Sequence, residues 1–274
     1  MSFDREKYKQ FARQQIDGRR KNAALAVLIV VTITLAFSIP QRRLNNTWEE
    51  LLRAAYSSTE DLLAYFSANK PSLSFTFILS FIATLISFIT RIALDSFFLT
   101  YSRSPEPVSL KVFFEGFNKW GRGILAGLWQ TLWYFIWTLG IMIIYIILLI
   151  PCIFLPVALT GIIDILSNLT IVLICALLII KALEYSQLFY LVAEFPELGV
   201  RKALRISILI TKGHRAELLV TILTFLPYYL LGVFTLGFAQ VWYQPYLGMT
   251  YVNIYHALLK DALENGKINP EDLN

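Results

Sequence analysis

The sequence predicts an all-α polytopic membrane bundle of about six transmembrane helices, with amphipathic helices at the interfaces. Three observations carry that expectation. Only 16% of the residues are charged while 57% are apolar, with a mean hydropathy of +0.59; a soluble domain averages about 25% charged and 45–50% apolar. The apolar residues gather into runs of 17 or more with few charges, the length needed to cross about 30 Å of hydrocarbon. Finally, lysine and arginine fall almost entirely on one side of the runs, as the positive-inside rule requires.

The first run, 23–39, follows a basic tail, 1–22. That tail is longer than the leading region of a signal peptide. The run ends at Pro40-Gln41-Arg42-Arg43 and not at a small-residue cleavage site, so it is read as a retained helix. Further spans fall at 73–99, 124–150, 169–192 and 217–234. The last, 238–259, is weaker, holding Gln240, Gln244, Pro245, Asn253 and His256. It is expected to kink at Pro245 and to be shielded by its neighbours.

Eighteen Lys and Arg lie in the N-terminal tail, the second and fourth connections and the tail 260–274; four lie on the other side. Both termini are therefore expected in the cytoplasm, in a multi-pass cell-membrane protein.

The outer segment 41–72 carries a capping box, Thr47-Trp48-Glu49-Glu50. Trp48, Leu52, Ala55 and Tyr56 follow at helical spacing, and Ser57 or Ser58 can cap a second short helix before Glu60 and Asp61. One or two amphipathic helices on the outer surface are expected, as a lid or a binding element. The inner connections also read as surface helices. In 109–122, Leu110, Phe113, Phe114, Phe117 and Trp120 form an apolar stripe opposite Lys111 and Glu115. In 198–212, Leu204 and Ile208 oppose Arg201 and Arg205. Lys111, Lys119, Arg122, Arg201, Arg205, Lys212 and Arg215 are thus candidate contacts to anionic lipid or a partner.

Two span ends carry charge pairs. Arg91 and Asp95 are four residues apart and Lys181 and Glu184 three, so each pair shares a helix face. A proline follows each, Pro105 and Pro196, and then a basic helix. Lys119 and Arg122 recur as Lys212 and Arg215, 93 residues later. This suggests a parallel repeat of 73–150 and 169–259. The four charges either line a substrate cavity or neutralise one another in pairs at the inner interface. Trp129, Trp133 and Trp137, one per turn, read as packing or lipid contact. Gly123 and Gly127 fit a small-residue helix contact.

No GxSxG, HExxH, P-loop or dinucleotide-binding glycine motif occurs. No catalytic residue, metal or cofactor is expected. The two cysteines, Cys152 and Cys175, read as packing residues. The net charge of +5 follows from the positive-inside bias and does not call for nucleic acid.

The C-terminal third carries Tyr185-Ser186, Pro196-Glu197-Leu198, Ala203-Leu204, Ser207, Lys212-Gly213-His214-Arg215, Thr235-Leu236-Gly237, Pro245-Tyr246 and Tyr255. Lys9, Ala12, Arg13 and Ile150-Pro151 add to these. In these residues the chain resembles the bacterial membrane family called domain of unknown function 975. It departs where Thr224-Phe225-Leu226-Pro227-Tyr228 and Pro151-Cys152 stand. The resemblance implies a six-helix bacterial membrane protein and no particular activity. The expected role is a non-enzymatic accessory or permease-like component for export of, or protection against, peptides or other membrane-active molecules. Its partners would be the lipid bilayer and a membrane protein such as an ABC transporter subunit, or a peptide. The alternative is a small secondary transporter with a charged intramembrane cavity.

Overall fold

The computed structural model describes residues 3–150 and 160–273, and every element among them is helical. Four helical stretches are long and apolar enough to cross a membrane: Arg20–Phe37, Ser74–Arg103, Leu110–Leu148 and Asn168–Glu194. A fifth exists if Arg215–Thr224 and Leu226–Phe234, bent by 44°, form one broken span. The expected sixth, α11 (Gln240–Glu264), runs unbroken through Pro245 but is too polar to join them. Leu247, Met249, Val252, Ile254 and Tyr255 on it are all fully buried, so its surroundings are protein.

The chain forms two compact units. Residues 12–124 and 227–249 make one, the hairpin unit; residues 1–11, 125–226 and 250–274 make the other, the tryptophan unit.

The hairpin unit is built on α2 (Arg20–Ser57) and α3 (Thr59–Arg103). Both exceed a bilayer: the 38 residues of α2 extend about 57 Å at ~1.5 Å per residue. Segment 41–72 is therefore not a set of separate surface helices; it is the far end of this hairpin. Of its residues, Thr47, Trp48, Leu52, Ala55 and Tyr56 have side chains outside the described residues. The single break falls at Ser58, whose hydroxyl caps α3 by accepting from Asp61 N–H (3.0 Å). The Tyr65 hydroxyl ties the two arms by donating to Glu50 Oε2 (3.1 Å).

The end of α1 (Arg5–Ile16), from residue 12 on, and the short helix α4 (Leu110–Gly116) flank the hairpin's base. Arg19 closes that base, donating to the carbonyls of Ser104 (2.7 Å), Glu106 (3.2 Å) and Gln15. Its guanidinium also stacks on Tyr101 (5.1 Å), whose hydroxyl donates to Arg19 O (2.6 Å). The expected surface helix α4 is half core. Phe113 is fully buried against Phe97, while Phe114 and Trp120 stay exposed. Gly116 lets it approach: a Cβ there would lie 2.8 Å from Ala93 Cα. Gly123, at the start of α5 (Trp120–Leu149), packs on Ile92 in the same way.

The tryptophan unit contains the rest of α5, then α6 (Thr160–Glu184), α7 (Leu188–Glu194), α8 (Val200–Thr211) and α9 (Arg215–Thr224). The last part of α11 belongs here too. The short α10 (Leu226–Phe234) opens at Pro227, where a missing amide costs nothing, and belongs to the hairpin unit. In the tryptophan unit the core is α7 with the inner face of α8: Leu188, Leu191, Val192, Ala203 and Ile210 are fully buried. Ser207 of α8 donates to Glu184 O at 2.6 Å. So α8, expected on the membrane surface, is anchored in protein; Arg201, Arg205 and Leu209 are exposed, and Lys202 reaches out to pair with Asp272 (3.8 Å). Cys175 is exposed on α6; Pro151 and Cys152 lie outside the described residues.

Candidate functional site

On α5 the tryptophans repeat every four residues, so they stack along one face. Trp129 and Trp133 meet edge to face at 6.4 Å. With α6 and α8 they wall a cavity of about 530 Å³. Trp129, Trp133, Trp137, Tyr185, Leu204 and Ile208 give it an apolar body; Lys181, Arg201 and Arg205 give it charge. The size suits a small organic ligand or the head of an amphiphile. Outside it, α5 presents Leu128, Leu132, Phe135, Ile136 and Ile143 outward, a face suited to lipid.

The polar partners are ordered. Trp137 Nε1 donates to the Tyr185 hydroxyl (3.2 Å), and Lys181 Nζ sits 4.2 Å from the Trp137 ring centre. Arg201 stacks on Trp129 at 4.7 Å. Such contacts hold a cation near an aromatic face without neutralising it. Glu184 is a carboxylate close by, with its side chain 5% exposed. It accepts from Lys181 (2.9 Å) on one oxygen and Arg215 (2.8 Å) on the other. One negative charge is thus shared by two positive ones. Among the described residues no carboxylate pairs with Arg201 or Arg205, so the cavity carries excess positive charge.

The turn before α9 aims Arg215. Gly213 adopts φ +93, the left-handed region that favours glycine. It turns the chain so that consecutive residues reach different carboxylates: Arg215 goes to Glu184, and His214 Nε2 meets Asp261 Oδ2 at 3.3 Å. Lys267 Nζ lies 3.1 Å from the same oxygen. Burial works against the charge of Asp261, but hydrogen bonds from Lys267 and His214 outweigh it and hold the carboxyl down at about 2.

The sequence-derived candidates fall in both units. Lys181 and Glu184 belong to the tryptophan cavity, with Arg201, Arg205 and Arg215. Arg91 and Asp95 pair with each other on α3 (3.7 Å) in the hairpin unit. Lys111 pairs with Glu115 at the surface (3.9 Å). Lys119 donates to Ser96 (2.9 Å), which draws it toward α3. Arg122 is half-buried, and Lys212 is exposed, its carbonyl accepting from Lys267 (3.4 Å). Asp261 and Lys267 escaped sequence reasoning because they stand six residues apart, which is no helical pairing, and His214 lies 47 residues away; the Gly213-His214-Arg215 run was the available signal. Among the described residues no cluster of His, Cys, Asp and Glu could hold a metal ion.

Neither a curated protein nor a solved structure matches the chain. A family does, and its match reaches well beyond the C-terminal third in which the resemblance was strongest: over residues 1–262 the chain belongs to the family described as protein of unknown function (DUF975).

Proposed function

We propose that this protein is a non-enzymatic component of a bacterial cytoplasmic membrane that binds an anionic, membrane-active amphiphile. It would act as an accessory or permease-like element in export or protection, with both termini in the cytoplasm. The observation that carries the reading is the tryptophan cavity: three indoles on one helix face and three cations, of which, among the described residues, only Lys181 has a carboxylate beside it. Indoles bury a large apolar area and accept chains of varied shape. Unneutralised arginines select carboxylate, sulfate or phosphate and disfavour cationic peptides, since like charges repel. The export role therefore narrows from peptides in general to anionic amphiphiles. The transporter alternative keeps Lys181 and Glu184 as cavity residues and treats Arg91 and Asp95 as a separate pair.

Affinity purification from native membranes, with mass spectrometry of everything retained, tests this. An anionic amphiphile, alone or with a stoichiometric partner, should co-purify and be lost from the Arg201→Ala/Arg205→Ala variant. Retention of cationic peptides only, or turnover of a substrate by the purified chain, would refute the reading.

A further inference from the structure

The hairpin unit holds two adjoining cavities. One, of about 360 Å³, is lined by Arg13, Arg20, Tyr228, Leu231, Ala239, Trp242, Tyr243 and Tyr246. The other, of about 430 Å³, is lined by apolar Val31, Leu35, Val233 and Leu236, with Thr34, Tyr229, Gln240 and glycines. Tyr243 lines both. We propose that together they form a binding site for one phospholipid with an anionic headgroup, its phosphate between Arg13 and Arg20 and an acyl chain along Val31, Leu35 and Val233.

Charge is the first argument. Three arginines cluster around the turn from α1 to α2. Arg19 is consumed by carbonyls and by Tyr101. Arg13 has a ring partner, Tyr246 at 5.3 Å, and among the described residues no carboxylate. Among the described residues Arg20 pairs with none either, and no acidic residue lines the cavity. Two cations above a floor of tyrosines match an anion, since arginine binds phosphate through two parallel N–H donors.

Polarity changes in the right direction and over the right length. Arg20 and Val31 lie on the same helix, α2. Eleven residues span about 16 Å at ~1.5 Å per residue, close to half of a hydrocarbon core about 30 Å thick. A headgroup at Arg20 therefore places the apolar cavity within the same leaflet. Trp242 is 77% exposed beside the arginines, as expected of an interfacial anchor. Val233 and Leu236 are exposed at the deeper end, where an acyl chain would cover them.

The shared wall is built for its shape. A Cβ on Gly232 would collide with the Tyr243 hydroxyl, so glycine makes room for that ring. Leu236 takes φ 52, a conformation a leucine rarely adopts. The turn is held by Gly237 N–H donating to Gly232 O (2.7 Å) and Leu236 N–H to Val233 O (3.2 Å). Strain of this kind persists where surrounding structure fixes it, and here it borders the apolar cavity.

This site shares no residue with the tryptophan cavity. The test is native mass spectrometry of the full chain released from nanodiscs of phosphatidylcholine containing phosphatidylglycerol. The parent for this test is Arg201→Ala/Arg205→Ala, in which the tryptophan cavity has lost its anion site, and it should retain one phosphatidylglycerol. Arg13→Gln/Arg20→Gln should lower its retention about thirtyfold, the loss of two cations near a membrane surface. Val233→Trp in the same background, which fills the apolar end, should lower it as well. Both arginines of the site are exposed, and a matching thermal melt checks that the double variant folds. Equal retention by parent and Arg13→Gln/Arg20→Gln overturns the proposal. So does displacement of the lipid by inorganic phosphate at equal concentration, which would make the site one for a free anion.

Discussion

At the scale of single residues, the organising device is the sharing of carboxylates. Glu184 shares its one negative charge between Lys181 and Arg215. Asp261 ties His214 to Lys267. Its carboxyl is held at about 2, below an ordinary value near 3.9. The stabilisation this gives is complete above that ordinary value and disappears as pH falls through about 2. Thermal melts of the purified chain should therefore drop between pH 4 and pH 2, more steeply than those of Asp261→Asn, which lacks this contribution at every pH. Identical slopes would show that Asp261 is ordinary. The pairs Arg91–Asp95 and Lys181–Glu184 were legible in the sequence because helical spacing fixes them. The bond from Arg215 to Glu184 was not, since it joins residues brought together by tertiary packing.

At the scale of elements, proline and arginine misled. Pro40 and Arg42-Arg43 read as the end of a span, yet α2 continues to Ser57. A proline inside a helix removes one hydrogen bond, and the helix formers Glu49, Glu50, Leu51, Leu52, Arg53, Ala54 and Ala55 follow it. Ser58 marks the true turn, and its capping role was readable. The amphipathic period of α8 was also readable, but not what covers its apolar face, because a membrane and a protein core ask for the same pattern. The hairpin's tip should stand clear of the bilayer. Ser57→Cys, at an exposed position, should react with a membrane-impermeant maleimide added outside intact cells, above the background of the native cysteines. Labelling that appears only after lysis would reverse the expected orientation. Gly116 lets α4 pack closely on α3: Gly116→Val should lower stability by about 1–3 kcal/mol, read as a lower Tm.

At the scale of the whole molecule, low charge, long apolar runs and the one-sided Lys and Arg gave the helical membrane class. The finer count suffered because α11 is both polar and buried. The tryptophan ladder was visible as one face, but whether that face meets lipid or a cavity depends on α6 and α8 folding across it, which spacing alone does not encode. The central claim is that this cavity binds anionic amphiphiles. Tryptophan fluorescence of the purified chain, titrated with an alkyl phosphate and with an alkylammonium of equal chain length, tests it most directly. The alkyl phosphate should quench saturably and at least tenfold more tightly, with the preference lost in Arg201→Ala/Arg205→Ala. Equal binding of the two amphiphiles, or a preference for the cation, would contradict it.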